Sequence, residues 1–469
     1  MKHTADTSVA DSFSSITDEE KSGFSLSNGS RVAVVGGGPS GSFFAFFLLK
    51  MAAAIDLDIE VDIYDPRTFS HCGPAGCNHC GGIVSESLVQ ILAAEGIVLP
   101  SSVVQRGIES YIVHLDVGSV AIQNSVGEQR IAALYRGNGP REGGETPWES
   151  FDGYLQGLAM QRGASVVRKM ITDIDWRSGY PWLQFADQSE LKYDLVTVAT
   201  GVNSNFLKIL DDMPAGFQLP RTTRAFVCEF KSSEDEILRI LGNSVHAFLL
   251  PIPRLEFAAI IPKGEFATVV MLGEDLDEEL VQAFLNHPAV LECFPTNALP
   301  CVCSCAPLVN MGARKKPFGD RIVLVGDSGV TRLYKDGIGA AFRTGKAAAT
   351  TAVLQGVSEE AFRRSFWPTC RSITNDNAIG KVMFGTTGIL KRLTFLRNVI
   401  LRMTAREQKD LASKQHMSSL LWNMFTGSAP YVEMFRGTLH PGFIYNLMLS
   451  LGAALVPGKR TVQPRKKVA

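Results

Sequence analysis

The chain has 469 residues, 45% of them hydrophobic, and a formal net charge of −1. That length exceeds a single hydrophobic core and suits two or three connected domains, and the balanced charge argues against nucleic acid as a partner. No run reaches the roughly 18–20 apolar residues of a membrane-spanning helix.

Residues 1–30 are rich in Ser, Thr and Asp, lack the charged-then-apolar layout of a signal peptide, and read as a disordered extension. Val32–Val35 then reads as a buried parallel strand. Gly36, Gly38 and Gly41 follow at the spacing G-x-G-x-x-G, with Pro39 and Ser40 between them, before a helix expected over Ser42–Ala54. A second strand, Ile59–Tyr64, ends in Asp65. Strand, glycine turn, helix and acid-terminated strand make a dinucleotide-binding unit: the phosphates lie on the helix N-terminus and the carboxylate accepts from ribose hydroxyls.

The loop 66–82 carries Cys72, Cys77 and Cys80, and Ser110–Leu134 alternates as strands do. Phe151–Gly163 resumes helical spacing, and Asp194–Gly201 is a buried strand that stops on a glycine. From 224 to about 300, strands separated by polar turns predict an inserted, mainly antiparallel sheet domain. Arg321–Asp327 is a further buried strand ending in Gly326 and Asp327, and Asp336–Val353 is a helix rich in small residues, opening on Gly337, Ile338 and Gly339. Residues from about 375 onward read as helical.

The predicted class is therefore α/β. A Rossmann-like nucleotide-binding domain occupies 31–223 and 301–374, strands at about 110–135 and 224–300 form a β-sheet domain, and 375–469 is a helical C-terminal region.

Taken together, Gly36–Gly41 with Asp65, the strand ending at Gly201, and Gly326-Asp327 before Asp336–Gly339 resemble the two-dinucleotide-fold flavoproteins of the p-hydroxybenzoate hydroxylase type. Within them the pattern is similar to the geranylgeranyl reductase family. The resemblance implies FAD as cofactor, with Asp327 on the ribityl chain and the start of the Gly337 helix facing the flavin pyrimidine. It implies a cofactor contact for Arg136, with Arg130 and Arg141 near enough to compete. Cys80, in Cys80-Gly-Gly-Ile-Val-Ser85, matches the family's substrate-side cysteine, as proton donor or pocket wall. Lys335 reads either as a cation beside the flavin or as a solvated turn lysine.

The implied activity is hydride transfer from reduced flavin to a carbon–carbon double bond of a long, isoprenoid-like substrate. The alternatives are a flavin monooxygenase and a metal- or thiol-coupled electron-transfer flavoprotein. A single G-x-G-x-x-G leaves the electron donor open between transiently docking NAD(P)H and a small electron-transfer protein.

Nine cysteines without an export signal suggest a reducing, cytoplasmic setting, and metal or redox chemistry rather than a disulfide framework. Cys301, Cys303 and Cys305 alternate, so an extended strand would place all three thiols on one face. With Cys72 and Cys77 they offer a zinc, iron–sulfur or dithiol site beside the flavin, or simple packing. His71 and His79 beside the first cysteine cluster add only slightly to the zinc option, and the remaining histidines read as structural or exposed. Basic residues among apolar ones in 389–403, and after 443–456, suit either packing against the body or contact with an anionic membrane surface.

Overall fold

The computed structural model describes residues 23–73, 80–123, 131–141, 149–211, 217–294, 301–410 and 414–455. Strand β1 (Ser30–Val35) is almost wholly buried because both its faces are covered. Val32 and Val34 pack with helix α1 (Pro39–Ala54), while Ala33 and Val35 pack on a three-stranded meander through Ile171–Arg177, Tyr180–Phe185 and Glu190–Lys192. A strand covered on both sides reads as an unbroken apolar run rather than an alternation. Helix α1 starts three residues earlier than the spacing predicts. Pro39 takes the first helical position, where its missing N–H costs nothing and its fixed φ already suits the helix.

The other elements follow in order: β2 (Ile59–Tyr64), β3 (Ser110–Leu115), α2 (Phe151–Met160), β4 (Leu195–Val198), β5 (Thr222–Lys231), β6 (Ser244–Phe248), β7 (Leu255–Lys263), β8 (Phe266–Gly273), β9 (Cys301–Cys305), β10 (Ile322–Leu324) and α3 (Gly337–Leu354). In the first sheet β10, β4, β1 and β2 lie side by side and parallel, with Ser165–Val167 on the far edge of β2 and Phe318–Gly319 antiparallel on β10. Helix α1 is gripped between this sheet and α3. Phe43, Phe44 and Phe47 are fully buried, and the rings of Phe43 and Phe47 meet Phe342 edge-on at 5.5 and 5.4 Å. Each such ring contributes about 1.5–3 kcal/mol relative to exposure, which outweighs the weak amphipathic signal of an all-apolar helix.

The second sheet runs β9, β5, β8, β7, β6, β3 and then Gly118–Gln123, with Leu308–Asn310 paired to the start of β5. All its pairings are antiparallel except β6 with β3. The segment 301–310 therefore belongs to this sheet and not to the nucleotide-binding part, because its backbone pairs with Thr222–Phe230.

The C-terminal helices are α4 (Trp367–Arg392), α5 (Thr394–Glu407), α6 (His416–Thr426), α7 (Tyr431–Thr438) and α8 (Pro441–Leu455). Helical structure thus begins before residue 375. Two of the basic residues left open between packing and a membrane surface are packed: Lys391 donates to the Leu255 carbonyl at 2.6 Å, and the buried Arg397 holds Asp116 at 2.6 and 2.8 Å. Among the described residues, no helix is long and apolar enough to cross a membrane.

Candidate functional site

Three turns leave the carboxyl ends of three adjacent parallel strands: Gly36–Gly38 after β1, Ala199–Gly201 after β4 and Gly326–Ser328 after β10. Open α/β sheets bind ligands at this end. A cavity of 360 Å³ lies there, within the range of small-molecule sites, and it is closed on its far side by the second sheet and the C-terminal helices.

The polar wall starts at α1. Gly38, Pro39 and Ser40 line the cavity, Gly38 caps the helix without a side-chain bond, and the first turn holds no acidic residue. Free N–H groups and the helix dipole there favour an anion. Gly41 is one turn deeper, where a Cβ would overlap the Gly36 carbonyl oxygen and lie 2.9 Å from Val34 Cγ1. Asp65 reaches the turn from β2 and is buried, accepting from Gly37 N–H at 2.9 Å and from the Arg67 guanidinium at 2.9 and 3.0 Å. It supports the turn from behind, while Arg67 lines the cavity.

Two supports escaped the sequence reading. Gln156 Nε2 donates to the Gly37 carbonyl at 2.9 Å, and Arg168 donates to Gln156 Oε1 at 3.1 Å and to the Asp65 carbonyl at 3.1 Å. The available signal was Asp152 and Gln156 one turn apart on the buried face of α2, since two buried polar side chains on one helix face call for polar partners.

Arg136 lines the cavity and forks onto Asp152, at 3.1 and 2.8 Å. Burial works against the guanidinium charge, but the Asp152 carboxylate outweighs it and holds Arg136 above its ordinary value. A Cβ on Gly38 would lie 3.3 Å from the Arg136 Nη2, so this arginine sits directly over the glycine turn. Arg141 packs on Gly73 instead, and Arg130 lies outside the described residues.

The floor is Asp327, whose carboxyl burial pushes above its ordinary value, with Arg136 pulling the other way. Gly326 and Gly201 set the turns, by bonds from Gly326 N–H to Thr344 Oγ1 and from Gly201 N–H to Ser328 Oγ, both 2.9 Å. Gly326 has φ +59°, and a Cβ there would overlap Ser40. At the start of α3, Gly337 and Ile338 line the cavity, while Gly339 sits behind them against Asp336. Asp336 makes no cap bond, because its carboxylate is paired with Arg332 at 3.0 Å and Arg343 at 3.3 Å. The first N–H groups of α3 are thereby left for a ligand.

The C-terminal helices fix the loop before α3. Asn377 bonds both Leu333 N–H and the Thr331 carbonyl, and Arg332 donates to the Gly427 and Ala429 carbonyls, each at 2.7 Å. Lys335 is not a solvated turn lysine. It is half-buried, lines the cavity and donates to the Asn423 and Met424 carbonyls at 2.8 and 3.0 Å. Burial draws its ammonium well below the ordinary value, and Arg332 adds to that direction.

The opposite wall is apolar, with Tyr111, Val245, Phe257, Val270 and Phe425 among its residues. Tyr111 stacks on Phe425 with ring centroids 5.9 Å apart. Cys80 lies in the cavity lining, half-buried, with its Sγ accepting from Gly82 N–H at 3.3 Å.

The other thiols do not join it. Cys72 donates to the Asn138 carbonyl and is absent from the lining, and Cys77 lies outside the described residues. Cys301 is in a disulfide with Cys228 on the neighbouring strand, whereas Cys303 is buried and Cys305 half-buried. The register shift between Glu229 and Phe230 breaks the even alternation expected of β9, so its three sulfurs do not act as one row. None of the three lines the cavity, which corrects the expectation that both cysteine segments approach it. Among the described residues, no three of these cysteines come within metal-ligand distance of one another.

No protein-family model matches the sequence, and no curated protein matches it. Solved structures do match. A geranylgeranyl bacteriochlorophyll reductase-like protein from Thermoplasma acidophilum is 17% identical with TM-score 0.56, over 90% of this chain and 99% of that one. A flavoprotein/dehydrogenase from Cytophaga hutchinsonii is 16% identical with TM-score 0.57, over 90% and 98%. The chain has a flavoprotein-type fold. The halogenase PltM shares it as well, at 14% identity and TM-score 0.58 over 92% and 98%, and a PltM variant is known in complex with FAD. At these identities the likeness speaks for the fold, which a reductase-like protein, a flavoprotein/dehydrogenase and a halogenase share.

Proposed function

We propose that the chain is an FAD-dependent oxidoreductase that reduces carbon–carbon double bonds of a long apolar substrate. The observation that carries this reading is the two-sided cavity: an anion-ready polar wall faces an apolar aromatic wall, with the thiol of Cys80 in the same lining.

The residues present fit FAD. Gly38–Ser40 and Arg136 would hold the pyrophosphate, Asp327 the ribityl hydroxyls, and the N–H groups of Gly337 and Ile338 the pyrimidine edge. Asp65 would take the adenosine ribose once Arg67, whose side chain is 42% exposed, gives way. When bound, FAD supplies two-electron hydride chemistry. The chain's own work is to keep water from the reacting carbons with Tyr111, Phe257 and Phe425, to balance charge with the α3 N-terminus, and to hold a proton at Cys80 Sγ for the neighbouring carbon. Two hydrogens are added per double bond, and the Cys80 thiolate recovers its proton from solvent. Lipid-like substrates reside in membranes, and exposed Phe395, Tyr445 and Met448 on α5 and α8 offer a surface for reaching them.

The test is anaerobic turnover of the FAD-loaded, dithionite-reduced protein with a prenyl alcohol or phosphate, read by mass spectrometry. The expected product is heavier by two hydrogens per reduced bond. Cys80→Ser should retain FAD and lose about 10²-fold in rate. A product formed only with oxygen present would replace this reading with a monooxygenase or halogenase.

A further inference from the structure

We infer that His114, His246 and Cys293 form a buried binding site for a thiophilic transition-metal ion, on the face of the second sheet turned away from the cavity. Tyr111 and Val245 point into the cavity, whereas His114 and His246 have the opposite parity on the same paired strands, β3 and β6. Cys293 reaches them from the end of the short helix Pro288–Leu291, which packs over that face. The three residues are 4%, 1% and 0% exposed.

Their donor atoms converge. His114 Nε2 lies 2.9 Å from His246 Nδ1, and Cys293 Sγ lies 3.3 Å from His246 Nδ1 and 3.7 Å from His114 Nε2. With metal–nitrogen bonds of about 2.0–2.1 Å and metal–sulfur bonds of about 2.3 Å, tetrahedral geometry sets donors about 3.3 Å apart for two nitrogens and about 3.5 Å for nitrogen and sulfur. The triangle is within a few tenths of an ångström of that.

The outer nitrogen of His246 is held as a metal-binding histidine requires. His246 Nε2 is 3.2 Å from the Leu241 carbonyl, which only accepts, so Nε2 carries the proton and the Nδ1 lone pair of the neutral ring faces the triangle. In the metal-free triangle His114 Nε2–H donates to His246 Nδ1, and the metal takes that proton's place once the His114 ring carries its proton on Nδ1, where Ser119 Oγ at 3.0 Å accepts it. Phe248, stacked on His114 at 4.6 Å, and Phe284 enclose the group in an apolar shell.

One sulfur and two imidazoles select zinc or monovalent copper over magnesium or calcium. Binding releases the thiol proton, after which monovalent copper leaves no net charge among the aromatic rings and zinc leaves one positive charge. Charge therefore favours copper, and the test separates the two ions. The site is independent of the flavin reading.

The experiment takes the full chain, stripped with chelator under anaerobic reducing conditions, and loads it separately with zinc, monovalent copper or cobalt. About one ion per chain should survive desalting in the wild type and in Cys72→Ser. Cys293→Ala and His246→Gln should each lose most of it. Cobalt should give a thiolate charge-transfer band in the wild type, a readout that needs no variant to fold. Absence of both a stoichiometric ion and that band in the wild type, or full retention of metal by folded Cys293→Ala and His246→Gln, overturns the site.

Discussion

Asp327 is the residue on which cavity chemistry and stability meet. Its half-buried carboxyl shares the cavity lining with Arg136 and is raised above the ordinary value of 3.8. A group with a raised folded value binds more protons folded than unfolded. Its contribution to stability is therefore fully present below the unfolded value and is lost as pH rises through the folded one. Asp327→Asn removes that dependence. In the ligand-free protein, the variant's urea midpoint minus that of the wild type should climb as pH rises from about 4 toward 7. A difference that stays flat, or falls with pH, would mean that Arg136 already keeps the carboxylate ionised at the lower pH. Lys335 shows the same desolvation acting on a cation, since it trades its hydration for two helix-end carbonyls. No spacing in the sequence reveals such a residue, because its burial comes from α6, some ninety positions downstream.

At the scale of elements, the joint between β1 and α1 decides whether the glycine turn exists. Gly41→Ala places a Cβ against the Gly36 carbonyl, which is backbone and cannot rotate away, so helix and strand must separate. We expect a loss of about 2–4 kcal/mol in urea unfolding at unchanged slope. Gly38→Ala is the contrast. Its Cβ meets only the Arg136 and Asp152 side chains, at 3.3 and 3.6 Å, so stability should change by less than about 1 kcal/mol while FAD affinity falls. Equal destabilisation by both would show that the turn tolerates no side chain at all. This unit was legible because its signals are local: an apolar strand, glycines at fixed offsets, an acid closing the next strand. The support from Gln156 and Arg168 was not, since it crosses from α2 and from the segment after Val167. Cys301 was misread for a related reason. Alternation presumes an unbroken ladder, and a one-residue shift against β5 is invisible without the partner strand.

For the whole molecule, the C-terminal helices carry two loads. Their inner side clamps the loop before α3 and closes the cavity, which accounts for the inward Lys335, Asn377 and Tyr431. Their outer side leaves Phe395, Ile444, Tyr445 and Met448 between 46% and 65% exposed, although α5 and α8 pack against each other. Arg392, Arg402 and Arg406 are exposed along the same stretch of chain. Apolar tips with arginines nearby match the interface of an anionic bilayer, where each basic side chain contributes about 1 kcal/mol. Three such residues give at most about 3 kcal/mol of preference for anionic over neutral lipid, which part-burial and salt will reduce. Sedimentation with vesicles should therefore show about tenfold tighter binding to phosphatidylserine-containing than to pure phosphatidylcholine membranes, weakening with salt. Tyr445→Glu with Met448→Glu should abolish binding to both while leaving turnover of a detergent-dispersed substrate unchanged. Equal, salt-insensitive partitioning into both membranes would assign these side chains to contact with another protein, and the apolar substrate proposed above would then have to arrive by carrier.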